Sequence, residues 1–310
     1  MAETSENSGR AGNARLDPAV LDKLAGLELV ARTVVEGLLS GHHRSPLRGS
    51  SAEFAQHREY VAGDELRRLD WKVFARSDRL VVKEMFEETT LACHLLVDAS
   101  ESMAFGSRRW SKFDYARWCA AALAHLVITA RDTSGLVLFD SKERAKVPPA
   151  SGERQKYAIW KALEDARPTG PTGVGSVLTW IAGRLRRRGI VVVFSDFFDD
   201  IDPIVEGLQR LLHGGHEPIL CQVLDPLELS FAIDHLVRLD GLEGAGVLKV
   251  DPKSIRTAYR AEIEAHNKLL AHHARSMGID FVQLDTQHSL EAALTTYLAH
   301  RSARAGGGRR

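Results

Sequence analysis

The stretch Ile190-Val191-Val192-Val193-Phe194-Ser195-Asp196 decides the fold. Five β-branched or aromatic residues in a row, with no polar interruption, read as a strand buried on both faces. That is how strands look in parallel sheets covered by helices. Other short apolar runs flank it: Cys93–Val97, Gly135–Phe139, Arg144–Pro148, Pro218–Leu224 and Ile279–Leu284. Helical periodicities alternate with them. One helix opens at the capping box Ser111-x-x-Asp114 and runs to about Ala130. Others cover Gln155–Ala166 (stopped before Pro168), Ser176–Arg188 (stopped at Gly189), a segment from Pro203 capped by Asp202, 253–276 and 289–303. Arg184, Arg186, Arg187 and Arg188 crowd the expected end of their helix, where the dipole favours cations. Six strands alternating with helices predict an α/β fold: a doubly wound, mostly parallel six-stranded sheet with helices on both faces.

The rest of the chain hangs on this frame. Residues 1–15 are expected to be disordered, and 16–40 to form a helix opened by Asp17-Pro18. Residues 16–90 are read as an N-terminal helix and a charged segment too small to build much core alone. Residues 91–303 form the main domain, with a glycine-rich hairpin inserted at about 228–250, and 304–310 a disordered basic tail. Across 310 residues, 41 Lys+Arg balance 41 Asp+Glu, so the net charge is zero. Neutrality argues against a nucleic-acid partner, which needs many uncompensated cations. Cys93, Cys119 and Cys221 each lie in apolar runs and read as buried thiols of a reducing compartment. The first fifteen residues lack an apolar signal region, and Cys119–Ala130 falls short of the ~20 residues a membrane span needs. The expected location is cytoplasmic, with no membrane span.

In doubly wound sheets ligands bind beyond the carboxyl ends of the strands, near the point where strand order reverses. Two such ends carry acids: Asp98-Ala99-Ser100-Glu101-Ser102 and Ser195-Asp196. Alternating hydroxyls beside a carboxylate suit a hard divalent cation, which takes oxygen ligands. These residue types also serve turns and caps, but Ser111 already fills the capping role for the next helix. Other chemistries are weaker. Gly170-Pro-Thr-Gly-Val-Gly175-Ser176 resembles a phosphate loop without its lysine, and it follows a helix rather than a strand. No serine sits in G-x-S-x-G, and the thirteen histidines form no H-E-x-x-H. His272-His273 and His213-Gly-Gly-His216 read as solvated residues.

The order Asp98-x-Ser100-x-Ser102, an isolated threonine, then Ser195-Asp196 resembles a von Willebrand factor A domain with its metal-ion-dependent adhesion site. The resemblance implies that Asp98, Ser100, Ser102, Thr172 and Asp196 hold Mg²⁺ (or Mn²⁺ or Ca²⁺), with Thr169 the other choice of threonine. Proline stands at 171, where relatives usually carry a second glycine. A further set of residues narrows the match: Ser45-Pro-Leu-Arg-Gly-Ser-Ser-Ala-Glu-Phe54, Arg58-Glu-Tyr60, Gly63-Asp64-x-x-Arg67-x-x-Asp70-Trp71, Ala75-Arg76, Lys112-Phe-Asp-Tyr-Ala-Arg117, Asp225-Pro226-x-Glu228 and Tyr259. These are similar to the domain of unknown function 58 family over about residues 20–303. That family is encoded beside MoxR-type AAA+ ATPases and works with them. The resemblance implies a non-enzymatic, metal-dependent adaptor whose partner is such an ATPase or a client protein presenting an acidic residue. The alternative is a metal-dependent hydrolase or phosphotransferase using Asp98, with Glu101 the only local acid or base. Within 58–76, Arg67, Trp71 and Arg76 suit a docking surface, together with Arg58. Equally, Asp64, Arg67, Asp70 and Arg76 suit internal ion pairs around a buried Trp71, the reading favoured for a small segment that needs anchoring.

Overall fold

A computed structural model describes residues 31, 54–61, 69–85, 91–108, 110–232, 237–240, 247–250 and 252–287. The expected helices at 16–40 and 289–303 and the expected disordered ends at 1–15 and 304–310 lie outside these residues, apart from Ala31, which is helical and buried. The chain divides into two compact units, Leu47–Thr90 and a larger one of Met1–Pro46 with Leu91–Arg310.

In the small unit, strands β1 (Phe54–Glu59) and β2 (Val81–Met85) pair antiparallel, and helix α1 (Trp71–Ser77) lies between them in sequence. Asp70 caps α1: its Oδ1 accepts from the amides of Lys72 and Val73 at 3.0 and 3.3 Å. Such a cap contributes about 1 kcal/mol. The reading that buried Trp71 does not hold. The residue is 59% exposed, because it occupies the first position of a short helix that buries none of its residues.

The larger unit carries the sheet: β3 (Ala92–Asp98), β4 (Thr133–Phe139), β5 (Glu143–Ala150), β6 (Gly189–Ser195), β7 (Glu217–Leu224) and β10 (Asp280–Asp285). Their order is β10-β7-β6-β3-β4-β5, parallel throughout except for the antiparallel edge strand β5. This is the expected mixed α/β architecture with a mostly parallel six-stranded sheet. All seven residues of β3 and of β6 are buried, which is why their sequences show no alternation.

Helix α2 (Lys112–Thr129) starts at the Ser111/Asp114 capping box, with α3 (Glu153–Asp165) packed on it through Trp160, whose Nε1 donates to the Ala121 carbonyl at 3.2 Å. On the other face α4 (Val174–Ala182), α5 (Ile201–His213) and α7 (Pro252–Ser276) close over Leu96, Val191, Val193 and Leu220. Full burial of each such side chain is worth about 1.5–3 kcal/mol. Helix α4 ends sooner than its periodicity suggests, capped at Gly183, so the arginines from Arg184 onward follow the helix instead of closing it. Arg184 lies over the Trp180 ring, 4.1 Å from its centroid. Asp225 and Glu228 form a capping box around Pro226 and open the short helix α6 (Pro226–Ser230). The inserted hairpin therefore begins later than the expected 228, as β8 (Val237–Asp240) paired with β9 (Val247–Val250).

From β3 the chain moves to β4 and β5 on one side, then returns to β6 on the other. The strand order reverses between β3 and β6, and their carboxyl ends face a common crevice.

Candidate functional site

The β3/β6 register decides what meets in that crevice. The last paired residues are Val97 and Phe194, so Asp98 and Ser195 come next, side by side. Ser195 Oγ donates to Asp98 Oδ2 at 2.6 Å, and the Ser100 amide donates to Asp98 Oδ1 at 2.9 Å. Asp98, Ser100, Ser195 and Asp196 are all fully buried. Beyond Ser100 a single 3₁₀ turn, Glu101–Ala104, brings Ser102 round, so that the Ser100 and Ser102 hydroxyls lie 3.1 Å apart.

The third hydroxyl comes from the loop before α4. Thr172 Oγ1 is 3.3 Å from Ser102 Oγ. Thr169, the other choice, is tied up elsewhere: its hydroxyl accepts from Arg144 Nη1 at 2.7 Å and its amide donates to the Ala99 carbonyl at 2.8 Å. The loop is moored to the first strand end, since the Glu101 amide donates to the Gly170 carbonyl at 2.8 Å. Gly170 has φ +84°, and a Cβ there would come within 3.0 Å of Asp140 Oδ2. Proline at 171 thus follows the glycine that the turn needs. The segment preceding the loop is α3, so the phosphate-loop likeness lacks its strand.

Asp196 follows Ser195 at the end of β6. Its Oδ1 accepts from the Phe198 amide at 3.2 Å, and Gln222 Nε2 holds its carbonyl at 3.0 Å. Phe197 between them is buried with φ +57°, a left-handed conformation uncommon for a bulky residue and found where surrounding structure enforces it. Asp196 Oδ2 accepts from Lys112 Nζ at 2.7 Å. That lysine also donates to Glu228 Oε1 at 2.6 Å. In the sequence Lys112 and Glu228 stand only among the family-signature residues, outside the expected site. The available signal was Lys112 itself, a cation at the start of a helix, where the dipole disfavours it.

The electrostatics follow from burial. Desolvation, then the neighbouring Asp196 charge, pushes the Asp98 carboxyl up to about 7, against the pull of its hydrogen bonds from Ser195 and Ser100. For Lys112, desolvation opposes the charge, but Asp196 and Glu228 outweigh it and raise the ammonium above its ordinary range. Among the described residues no three or more His, Cys, Asp or Glu side chains gather into a metal cluster. The group here is of a different kind: three linked hydroxyls beside Asp98, with Asp196 near enough for its charge to act on that carboxyl. Such a donor set fits a hard cation and not a soft one.

In class, then, the protein is a mixed α/β domain whose switch point carries a hydroxyl and carboxylate cluster. The chain belongs to the family described as protein of unknown function DUF58, whose model matches residues 56–269. It is 29% identical over 295 residues to an uncharacterized protein of Mycobacterium tuberculosis, covering 92% of this chain and 90% of that one. The same figures hold for an uncharacterized protein of Mycobacterium bovis. Among solved structures it is similar to the conserved hypothetical protein BatB from Bacteroides thetaiotaomicron, with TM-score 0.47 and 15% identity over 69% of this chain and 99% of that one. An aerotolerance-related membrane protein from Bacteroides fragilis gives TM-score 0.45 and 14% identity over 68% and 99%. Among the described residues no helix is long and apolar enough to cross a membrane.

Of the signature residues in 58–76, Asp70 serves as a helix cap, while Trp71 and Arg76 are exposed and Arg58 is half-buried. Asp64 and Arg67 lie outside the described residues.

Proposed function

We propose that the protein is a non-enzymatic, metal-dependent protein-interaction module built on a von Willebrand factor A-like domain. The observation that carries this reading is the chain of hydroxyls Ser100–Ser102–Thr172, drawn from two separate loops to within 3.1 and 3.3 Å of one another beside Asp98. These hydroxyls, with Asp98 and Asp196, would hold Mg²⁺, Mn²⁺ or Ca²⁺. The cation would supply a positive centre for an acidic side chain from a partner. With a divalent cation holding Asp98 ionised, Asp98, Asp196 and Glu228 would bring three negative charges against Lys112 and the ion, leaving the cluster near neutral and able to accept one more carboxylate.

Two features weigh against the hydrolase or phosphotransferase alternative. Asp98 is fully buried with both oxygens hydrogen-bonded, which suits a scaffold better than a nucleophile. Lys112 is buried and donates to two carboxylates, an arrangement that suits a structural ion cluster better than a proton donor to substrate. By resemblance, the partner is a MoxR-type AAA+ ATPase or a client of it, met in the cytoplasm. The test is co-purification with that ATPase, in Mg²⁺ and then in EDTA, for wild type and Asp98→Ala. Capture should require both the cation and Asp98; capture that survives EDTA or the substitution rejects the reading.

A further inference from the structure

Lys112 opens α2 with only 1% of its surface exposed, a costly place for an ammonium. Two carboxylates from distant parts of the chain hold it there: Asp196 after β6 and Glu228 in α6, at 2.7 and 2.6 Å. The rings of Phe105 and Phe198 flank it, with centroids 5.9 and 5.2 Å from Nζ. Glu228 is itself fixed, since its other oxygen accepts from the Asp225 amide at 2.9 Å. The lysine therefore sits against one oxygen of Asp196 as a resident cation. It competes with any divalent ion for that carboxylate.

We propose that Lys112 sets the divalent-cation affinity of the site by holding Asp196 Oδ2, which leaves Asp196 to serve the ion through Oδ1 or through water, with Glu228 keeping the lysine in position. This inference rests on the metal reading above. Removing a supporting outer-shell partner costs about 10–100-fold in metal affinity; Lys112 is instead a cation on the ligand oxygen itself, so its removal acts in the opposite sense.

The decisive variant is the pair Lys112→Met with Glu228→Gln. It removes one positive and one negative charge, so the net charge of the cluster is unchanged while Asp196 Oδ2 is freed. Mg²⁺ is titrated calorimetrically into the EDTA-stripped full chain, and each variant is melted to establish that it folds. The double variant should bind Mg²⁺ about tenfold more tightly than wild type. Glu228→Gln alone, which keeps the Lys112–Asp196 contact and removes a negative charge, should bind no more tightly than wild type. If the Met pair fails to fold, Lys112→Gln with Glu228→Gln retains hydrogen bonding without charge and should show the same gain. Equal affinity in wild type and double variant overturns the role of Lys112 and leaves the metal reading standing. Binding by the double variant alone upholds the role of Lys112 and rejects a metal-dependent wild type. Silence from every folded variant rejects both.

Discussion

Asp98 stands where a strand ends, with a second carboxylate, Asp196, following the end of the neighbouring strand, and the folded protein raises its pKa from an ordinary carboxyl value to about 7. A carboxyl whose pKa is higher folded than unfolded holds an extra proton in the native state. Its contribution to stability is therefore lost as pH rises from the unfolded value toward about 7. Asp98→Asn removes that penalty. In EDTA the variant's advantage over wild type should be absent below the unfolded carboxyl value, grow as pH rises toward about 7 and level off above it, so that the gap at pH 8 exceeds that at pH 5, while all stabilisation by Mg²⁺ is lost. Melting curves at the two pH values decide it, and an equal gap at both would contradict the cause given. A second residue pair acts in the opposite sense. His94 and His216 are buried in edge-to-face contact, ring centroids 6.1 Å apart, with His94 Nε2 and His216 Nδ1 lacking hydrogen-bond partners among the described residues. Burial first, and His216 second, lowers His94 to about 4; burial first, and Arg188 second, lowers His216. Their stabilising neutrality is complete above the usual imidazole range and fades as pH falls through it toward about 4. His94→Leu should lose less stability than wild type between pH 7 and pH 5, measured by denaturant midpoints. A parallel loss would exclude the pair as the acid-sensitive element. His216 reads from the sequence as a solvated residue at a helix end, but it leads directly into β7 and is buried.

The elements on the second face owe their closeness to glycine. A Cβ on Gly175 of α4 would lie 2.5 Å from Pro203 Cβ, and one on Gly207 of α5 would lie 2.6 Å from Leu178 Cβ. Gly207→Ala gains about 1 kcal/mol in helix propensity but forces two helices apart, at a cost of about 1–3 kcal/mol. The net effect should be a loss of stability. Because α4 starts two residues after Thr172, stabilisation by Mg²⁺ should shrink as well. Urea midpoints with and without Mg²⁺ test this, and a more stable variant would refute the packing account. At this scale the sequence read well where local chemistry is strong. The Ser111/Asp114 box opened α2 as expected, and the six apolar runs became the six strands. It read less well where a cap competes with periodicity. Gly183 closes α4 ahead of the arginines, and α5 starts at Ile201 behind Asp200, before the expected Asp202 cap.

For the molecule as a whole, Cys93, Cys119 and Cys221 report on the integrity of the core. All are free and buried, and burial pushes the Cys221 thiol up to about 12 and the other two upward as well. None can offer a thiolate without extensive opening. A thiol reagent should label no cysteine of the native protein and three after denaturation, at a rate set by unfolding. Rapid labelling of one cysteine in native conditions would show that its strand or helix opens separately.

The sequence by itself determined the α/β class, the strand at Ile190–Ser195 and the acids and hydroxyls that end the central strands. All of these depend on residues close together in the chain, whose burial or turn chemistry is written locally. Only the tertiary structure decided which threonine joins the hydroxyls, because Thr169 and Thr172 differ in what folds against them and not in their neighbours. It also decided that Trp71 faces outward, and that Lys112, Asp196 and Glu228, separated by 84 and 116 residues from the lysine, form one buried ion cluster. An ammonium is stable there only when both carboxylates arrive, and no local pattern in the chain records that meeting.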